Sequence, residues 1–365
     1  MLSSSLRSLC SRGPSIASRA FSTSPLARSA EVKSLGVIGA GQMGLGIALV
    51  AAQKAKVPVT LIDTSEASLD KALKFAGKST SLLPLELVPP TEIPSPREAL
   101  FKYSREITNH PPPSCFPPNA DKLLAKDVAK ERLTQAAADA ARARITPSQK
   151  MEDLGGVDFV IEAVPEIEAL KRRIFEQLAQ IAPRHAILAT NTSSISITRI
   201  AAATAAADPT DLQAPAARVV STHFMNPVPV QKGVEIIAGL QTAPATVAAA
   251  VAFVRRMGKV PAVSADSPGF LANRILMPYI NEAIICLETG VGAKEDIDSI
   301  MKNGTNVPMG PLALADFIGL DTCLAIMNVL HQETGDSKYR PSGLLKRMVD
   351  AGWLGKKSGK GFYDY

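Results

Sequence analysis

The chain has 365 residues, is 46% hydrophobic and carries a formal net charge of +6, so it is long enough to bury more than one core. No uninterrupted apolar run approaches the roughly 18 residues that a bilayer-crossing helix needs, and no membrane span is expected. The four cysteines, Cys10, Cys115, Cys286 and Cys323, have no paired spacing; they suggest neither a disulfide framework nor a metal site and fit a reducing compartment.

Residues 1–30 contain Arg7, Arg12, Arg19 and Arg28, many serines, and no Asp, Glu or Lys. Arg-rich, Ser-rich and acid-free is the composition of a mitochondrial presequence, which predicts the matrix as location. Four of the six net charges lie in this segment. The rest of the chain is therefore nearly neutral, and composition gives no reason to expect a nucleic-acid partner.

Ordered structure is predicted to begin near residue 31. The run LGVI reads as a short buried strand, followed at once by Gly39-Ala40-Gly41-Gln42-Met43-Gly44 and a helix rich in Ala, Leu and Ile. In this context the glycines allow a tight turn, close approach of backbone to a pyrophosphate, and close packing of helix on strand. A second strand, VPVTLID, ends in Asp63, nineteen residues past Gly44. A carboxylate there accepts hydrogen bonds from the ribose hydroxyls and repels a 2′-phosphate, and no arginine stands beside it. The expected cofactor is NAD, ahead of NADP or a flavin.

The helix SEASLDKALKFA changes character at Gly77. Residues 77–120 hold ten of the 27 prolines and show no sustained period, and proline at that density excludes helix and sheet. Helical composition returns at Asp121. With 77–120 removed, Leu69, Leu73, Ala76, Leu124 and Val128 form one stripe with spacings of 4, 3, 4 and 4, so the insert interrupts a helix. Gly77-Lys78-Ser79 permits the splice-donor pattern GTAAGT, Thr108-Asn109-His110 the branch-site pattern CTAAC, and Ala120-Asp121 an AG acceptor. The segment reads as a translated intron; the alternative is a disordered, partner-binding insertion.

Beyond Ile145, the strand VDFVIEAV leads into the amphipathic helix EIEALKRRIFEQLAQIA, AILATNTSSIS gives another buried strand, and RVVSTH a third. Strands alternating with helices predict a parallel sheet with its ligand crevice at the strand C-terminal ends. Glu162, Ser193 and His223 fall at such ends. Each has a bland reading: Ser193 and Ser194 make good helix caps, Glu162 could simply pair with Lys171, and His223 could pack while Glu235 faces water. After His223 a loop containing Pro227 and Pro229 leads to VEII, which carries Glu235 twelve residues on. A carboxylate against an imidazole nitrogen fixes the tautomer and makes the ring a better base.

Taken together, GAGQMG, Asp63, EAVPE…K…F from Glu162 to Phe175, NTSS, HFMNPVPV with Glu235, DSPGFLANRIL from Asp266 and the closing GKKSGKGFY resemble the L-3-hydroxyacyl-CoA dehydrogenase family, mitochondrial short-chain type. The resemblance runs from about Val32 to Tyr365 except for the insert. It implies a Rossmann-type α/β NAD-binding domain over 31–265, then an all-α domain over 266–365 that dimerises. It further implies NAD-dependent oxidation of a 3-hydroxyacyl-CoA in fatty acid β-oxidation. His223 takes the place of the general base and Glu235 of its orienting carboxylate. Ser193 and Asn273 meet the substrate oxygen, and Glu162, Asn226 and Lys357 lie on the cofactor side. Lys130 and Lys126 match CoA-binding lysines in the register without the insert, but Leu123 falls where the family has a serine. Two other functions compete: a sugar-acid dehydrogenase of gulonate type, and a non-catalytic NAD-binding protein, which the intact Ser193, His223, Glu235 and Asn273 argue against.

Overall fold

The computed structural model describes residues 31–63, 124–125, 128–129, 133–208 and 213–365. The expected presequence, the insert over 77–120, and Lys126 and Lys130 lie outside the described residues. The sheet starts with β1 (Leu35–Ile38), buried along its whole length. Helix α1 (Gln42–Val50) follows the glycine-rich turn, with a π-helical turn over Ala51–Ala55. β2 (Val59–Ile62) pairs parallel with β1.

The next described elements are α2 (Gln135–Arg142), whose N-cap Thr134 accepts from the Ala137 N–H, and β3 (Ile145–Ser148). β4 (Phe159–Glu162), α3 (Glu168–Ile181), β5 (Ile187–Thr190), α4 (Ile197–Ala202), α5 (Gln213–Ala217) and β6 (Val219–Phe224) continue the alternation. β7 (Gly233–Ala238), α6 (Pro244–Arg256) and β8 (Val260–Ala265) complete the sheet.

The strand order is β3-β2-β1-β4-β5-β6-β7-β8. All neighbours run parallel except β6 and β7, which are antiparallel. The order reverses between β1 and β4, and such a reversal opens a crevice at the strand C-terminal ends. β4, β5 and β6 are buried at every residue, as parallel strands covered on both faces must be. Alternate residues serve different layers. Val37, Phe159, Ile161 and Ala189 join a core with Leu45 and Leu49 of α1 and Phe253 of α6; Ile38, Val160 and Leu188 join one with Phe175 and Leu178 of α3 and Ile200 of α4. The Phe159 and Phe253 rings pack at 5.0 Å between centroids.

Two strands were not visible in the sequence. β3 and β8 are the edges of the sheet and contain Pro147 and Pro261. An edge strand tolerates proline because one side of it has no ladder to complete.

After β8 the chain is helical: α7 (Ala272–Glu288), α8 (Lys294–Gly304), α9 (Pro311–Ile318), α10 (Leu320–Thr334) and α11 (Gly343–Asp350). They share a core of Met277, Ile280, Leu312, Met327, Leu330 and Leu345. Two buried carboxylates organise it. Asp298 accepts from the N–H groups of Leu312 and Ala313, capping α9, and Asp316 accepts from those of Phe362 and Tyr363, holding the tail. No single helix among the described residues is long and apolar enough to cross a membrane.

Candidate active site

The glycine-rich turn shows a separate reason for each glycine. Gly39 has φ +99°, a left-handed backbone that a side chain would strain, and an added Cβ would lie 2.7 Å from the Ala163 carbonyl. At Gly44 a Cβ would fall 1.8 Å from the Gly39 carbonyl, so helix and turn could not pack. At Gly41 a Cβ would meet nothing of the protein. That space lies at the start of α1, which has no side-chain cap and no acid in its first turn. Free N–H groups and a positive dipole end there suit a pyrophosphate. Asp63, at the end of β2, accepts from the Ala40 N–H at 2.7 Å, so this carboxylate is tied to the turn itself. These residues fit a dinucleotide. Met43 is partly buried against the core below the turn.

Four strands away, the β6–β7 register sets His223 directly opposite Glu235. Both side chains are buried, and His223 Nδ1 lies 2.8 Å from Glu235 Oε2. A carboxylate can only accept, so Nδ1 carries the proton and Nε2 is left as an acceptor. Facing Nε2 at 3.1 Å is the hydroxyl of Ser193, from the loop after β5. The other carboxylate oxygen, Glu235 Oε1, accepts from the N–H groups of Leu271 and Ala272 at 2.8 and 2.9 Å, where α7 begins. Burial pushes the Glu235 carboxyl up, but the hydrogen bond from His223, the two N–H groups and the imidazole charge together hold it below the usual carboxylate range. Asn273, one residue into α7, is buried and donates from Nδ2 to the Ser193 carbonyl at 3.4 Å. Phe270 closes the cluster, its ring edge-on to the imidazole at 6.0 Å between centroids. The structure thus brings together Ser193, His223, Glu235 and Asn273.

The loop between His223 and Glu235 reaches back to the dinucleotide end. Asn226 Oδ1 accepts from Gln42 Nε2 at 3.1 Å, and Val228 packs so closely on Gly46 that a Cβ there would come within 2.9 Å. Lys259, buried just before β8, donates to the Val228 and Gln231 carbonyls from behind. Burial lowers the pKa of its ammonium group.

Glu162 is a correction. Its side chain is fully buried and both oxygens are taken: Oε1 by Lys171 Nζ and the Val164 N–H, each at 2.7 Å, and Oε2 by the Thr190 hydroxyl at 2.8 Å. Direct contact with a cofactor is therefore closed to it, and the bland pairing with Lys171 is what the fold uses. Glu166, four residues on, was missed. Its Oε1 accepts from the Thr192 hydroxyl at 2.5 Å, the Ser193 N–H at 2.8 Å, the Ser194 N–H at 3.0 Å and the Ser194 hydroxyl at 3.1 Å. Lys171 Nζ stands 3.5 Å from Oε2, and the Glu166 side chain keeps 36% exposure. Burial raises its pKa, and the Lys171 charge with these donors outweighs that, leaving it below the usual range. From the sequence Lys171 is legible only as a possible partner for Glu162; in the fold it stands against both glutamates. Asn191 was also missed; its Oδ1 accepts from the Phe224 N–H, which fixes the end of β6 beside His223. Lys357 lies in the helical region, where its Nζ is 2.6 Å from Asp321; no hydrogen bond among the described residues joins it to the strand ends.

Among the described residues, no group of three His, Cys, Asp or Glu side chains is placed to hold a metal ion. An imidazole whose Nδ1 is held by a carboxylate and whose Nε2 faces a serine hydroxyl is chemically equipped to take a proton from a hydroxyl group while a hydride leaves the carbon that bears it.

Comparison with known proteins agrees with this chemistry. The model of the 3-hydroxyacyl-CoA dehydrogenase NAD-binding domain matches residues 34–83 and 118–267, and that of the C-terminal domain of 3-hydroxyacyl-CoA dehydrogenase matches 269–365. The chain is 44% identical over 335 residues to a probable 3-hydroxybutyryl-CoA dehydrogenase of Bacillus subtilis, covering 92% of this chain and 98% of that protein. It is 35% identical over 335 residues to the mitochondrial hydroxyacyl-coenzyme A dehydrogenase of Rattus norvegicus, covering 92% and 91%. The crystal structure of (S)-3-hydroxybutyryl-CoA dehydrogenase from Ralstonia eutropha superposes with a TM-score of 0.73 at 39% identity, over 92% of this chain and 99% of that one. With both domain models matched, the chain belongs to the 3-hydroxyacyl-CoA dehydrogenase family and oxidises a 3-hydroxyacyl-CoA with NAD.

Proposed function

We propose that His223 is the general base of this oxidation and that Glu235 orients it. The reading rests on one observation: the unbroken line Ser193–His223–Glu235–α7 N-terminus, in which Nε2 is the only ring nitrogen free to accept. NAD, bound along the glycine turn and Asp63, supplies the hydride acceptor. Ser193 hands the hydroxyl proton of the substrate toward Nε2, and Glu235 stabilises the imidazolium that results, as a carboxylate does in a Ser-His-Asp site. Ser193 and Asn273 are the donors for negative charge developing on the substrate oxygen. Removing Ser193 costs about 2.7–4 kcal/mol in the barrier, the scale of one oxyanion-hole donor. Glu166, Asn226 and Lys357 are the candidates for the nicotinamide side, and Lys126 and Lys130 for CoA.

A four-carbon substrate is supported by the names of the Bacillus and Ralstonia relatives. Location in the mitochondrial matrix is supported by the Arg- and Ser-rich first thirty residues and by the name of the rat relative. Dimerisation through the helical region is supported by exposed Ile275, Ile300 and Phe317 on α7, α8 and α9. The deciding experiment is His223→Gln, followed at 340 nm with 3-hydroxybutyryl-CoA and NAD. Turnover is expected to fall by about 10⁴-fold with NAD affinity kept; turnover near that of the unmodified enzyme overturns the assignment.

A further inference from the structure

Ser193, His223 and Glu235 have the bonding pattern of a hydrolase triad: hydroxyl on Nε2 at 3.1 Å, carboxylate on Nδ1 at 2.8 Å. Such triads are recognised by geometry and role on unrelated folds, and the substrate assigned to this site carries a thioester, which a serine nucleophile attacks readily. Hydrolases complete the triad with an oxyanion hole, made from the N–H of the nucleophile or of the residue after it. Here those groups are the N–H of Ser193 and of Ser194, and both are already bonded to Glu166 Oε1, at 2.8 and 3.0 Å. The hydroxyls of Thr192 and Ser194 close on the same oxygen, and Lys171 anchors the other end of the carboxylate. An anion of the protein thus sits where a tetrahedral intermediate would need to place its own.

We propose that Glu166 is a plug that keeps this triad from hydrolysing its own thioester substrate, and that the site without it is a thioesterase. In the unplugged site Ser193 Oγ gives its proton to His223 Nε2 and bonds to the thioester carbonyl carbon. The C–S bond breaks, CoA leaves as the thiol with the proton from His223, and an acyl ester remains on Ser193. Water, losing a proton to His223, then cleaves that ester to the carboxylic acid and restores the serine. Nothing is oxidised or reduced, so NAD is not consumed.

The inference rests on His223 acting as a base through Ser193, and the test separates the two by their readouts. Acetoacetyl-CoA is incubated without NADH, and free CoA is measured by chromatography for the unmodified enzyme, Glu166→Ala, Glu166→Asp, Glu166→Gln and Glu166→Ala/Ser193→Ala. NAD-dependent oxidation is followed separately at 340 nm. Glu166→Ala and the shorter Glu166→Asp should release CoA at least about 10²-fold faster than the unmodified enzyme, since a single oxyanion donor is worth that much and two N–H groups are recovered. Glu166→Gln keeps an accepting oxygen and should stay silent, and the double variant should return to background. Should Glu166→Ala not fold, Glu166→Asp decides. No CoA release from either variant, or release that survives loss of Ser193, overturns the plug while oxidation by the unmodified enzyme still stands. If His223→Gln keeps oxidation, the assignment beneath it fails instead.

Discussion

Replacing Glu235 by Gln tests the wiring of the base most directly, because the volume is conserved and only the bonding changes. The carboxylate serves two masters: Oε2 takes the proton side of His223, and Oε1 takes the N–H groups of Leu271 and Ala272. A glutamine has one accepting oxygen. If it stays with the two N–H groups, the amide NH2 faces Nδ1 and forces the ring proton onto Nε2, where it blocks acceptance from Ser193. If it turns to Nδ1, an NH2 group faces two N–H donors in a buried place, which costs about 1–3 kcal/mol. The wrong tautomer in a Ser-His-Asp enzyme costs about 10⁴-fold in turnover, so a loss of roughly 10³–10⁴-fold in kcat is expected here, about 4–5.5 kcal/mol in the barrier. The assay is NADH formation at 340 nm between pH 6 and 9, with NAD affinity measured alongside. A kcat within about threefold of the unmodified enzyme, or a loss explained wholly by weaker NAD binding, would refute the reasoning.

The same substitution carries a stability signature. Because the folded chain holds the Glu235 carboxyl below its usual range, its contribution is present above the unfolded pKa and is lost as pH falls through the lower folded one. The difference in Tm between the unmodified enzyme and the Gln variant should therefore shrink on acidification below the ordinary carboxylate range.

Other outcomes follow from the dinucleotide end and from the insert. Gly41→Ala, at φ −64° with nothing near an added methyl, should melt like the unmodified enzyme yet show NAD KM raised about tenfold or more, whereas Gly44→Ala, with its methyl 1.8 Å from a carbonyl, should lower Tm or prevent soluble expression; thermal melts beside NAD titrations check both. Asp63→Ala frees the Ala40 N–H and removes the charge that repels a 2′-phosphate, so the ratio of kcat/KM for NAD over NADP should fall by about tenfold or more. The match to the NAD-binding domain leaves out residues 84–117, in keeping with a translated intron. A tryptic peptide joining Phe75-Ala76 to Asp121-Lys122 in protein from the native source would establish it, and any peptide from within 84–117 would refute it.

The parts of the fold that can be read from the sequence are those whose cause is local. Gly39, Gly41, Gly44 and Asp63 announce themselves because a turn, a helix start and a strand end occur within 25 residues of one another. His223 and Glu235 were legible as a pair through their spacing, although the antiparallel register that sets them face to face belongs to the sheet. Burial decides the rest. The run EAVPE offers two glutamates, and nothing local says that Lys171, fully buried, would claim the first and leave the second at the crevice. β3 and β8 are short, interrupted by proline, and were hidden by the same chemistry that allows them at the edges. The grip of α7 on Glu235 joins positions 36 and 37 residues apart and has no sequence signal.

That grip also ties the helical region to the imidazole. The chain passes from sheet to helices through residues 266–271, and at the end of that stretch, at Leu271 and Ala272, the backbone is fastened to the carboxylate behind His223. A rotation of the helices about that junction, of the kind by which enzymes admit and release substrates, would act directly on the hydrogen bonds of Glu235. Because His223 shares that carboxylate, the same motion would disturb the partner of its Nδ1, so the imidazole and the helical region are mechanically coupled.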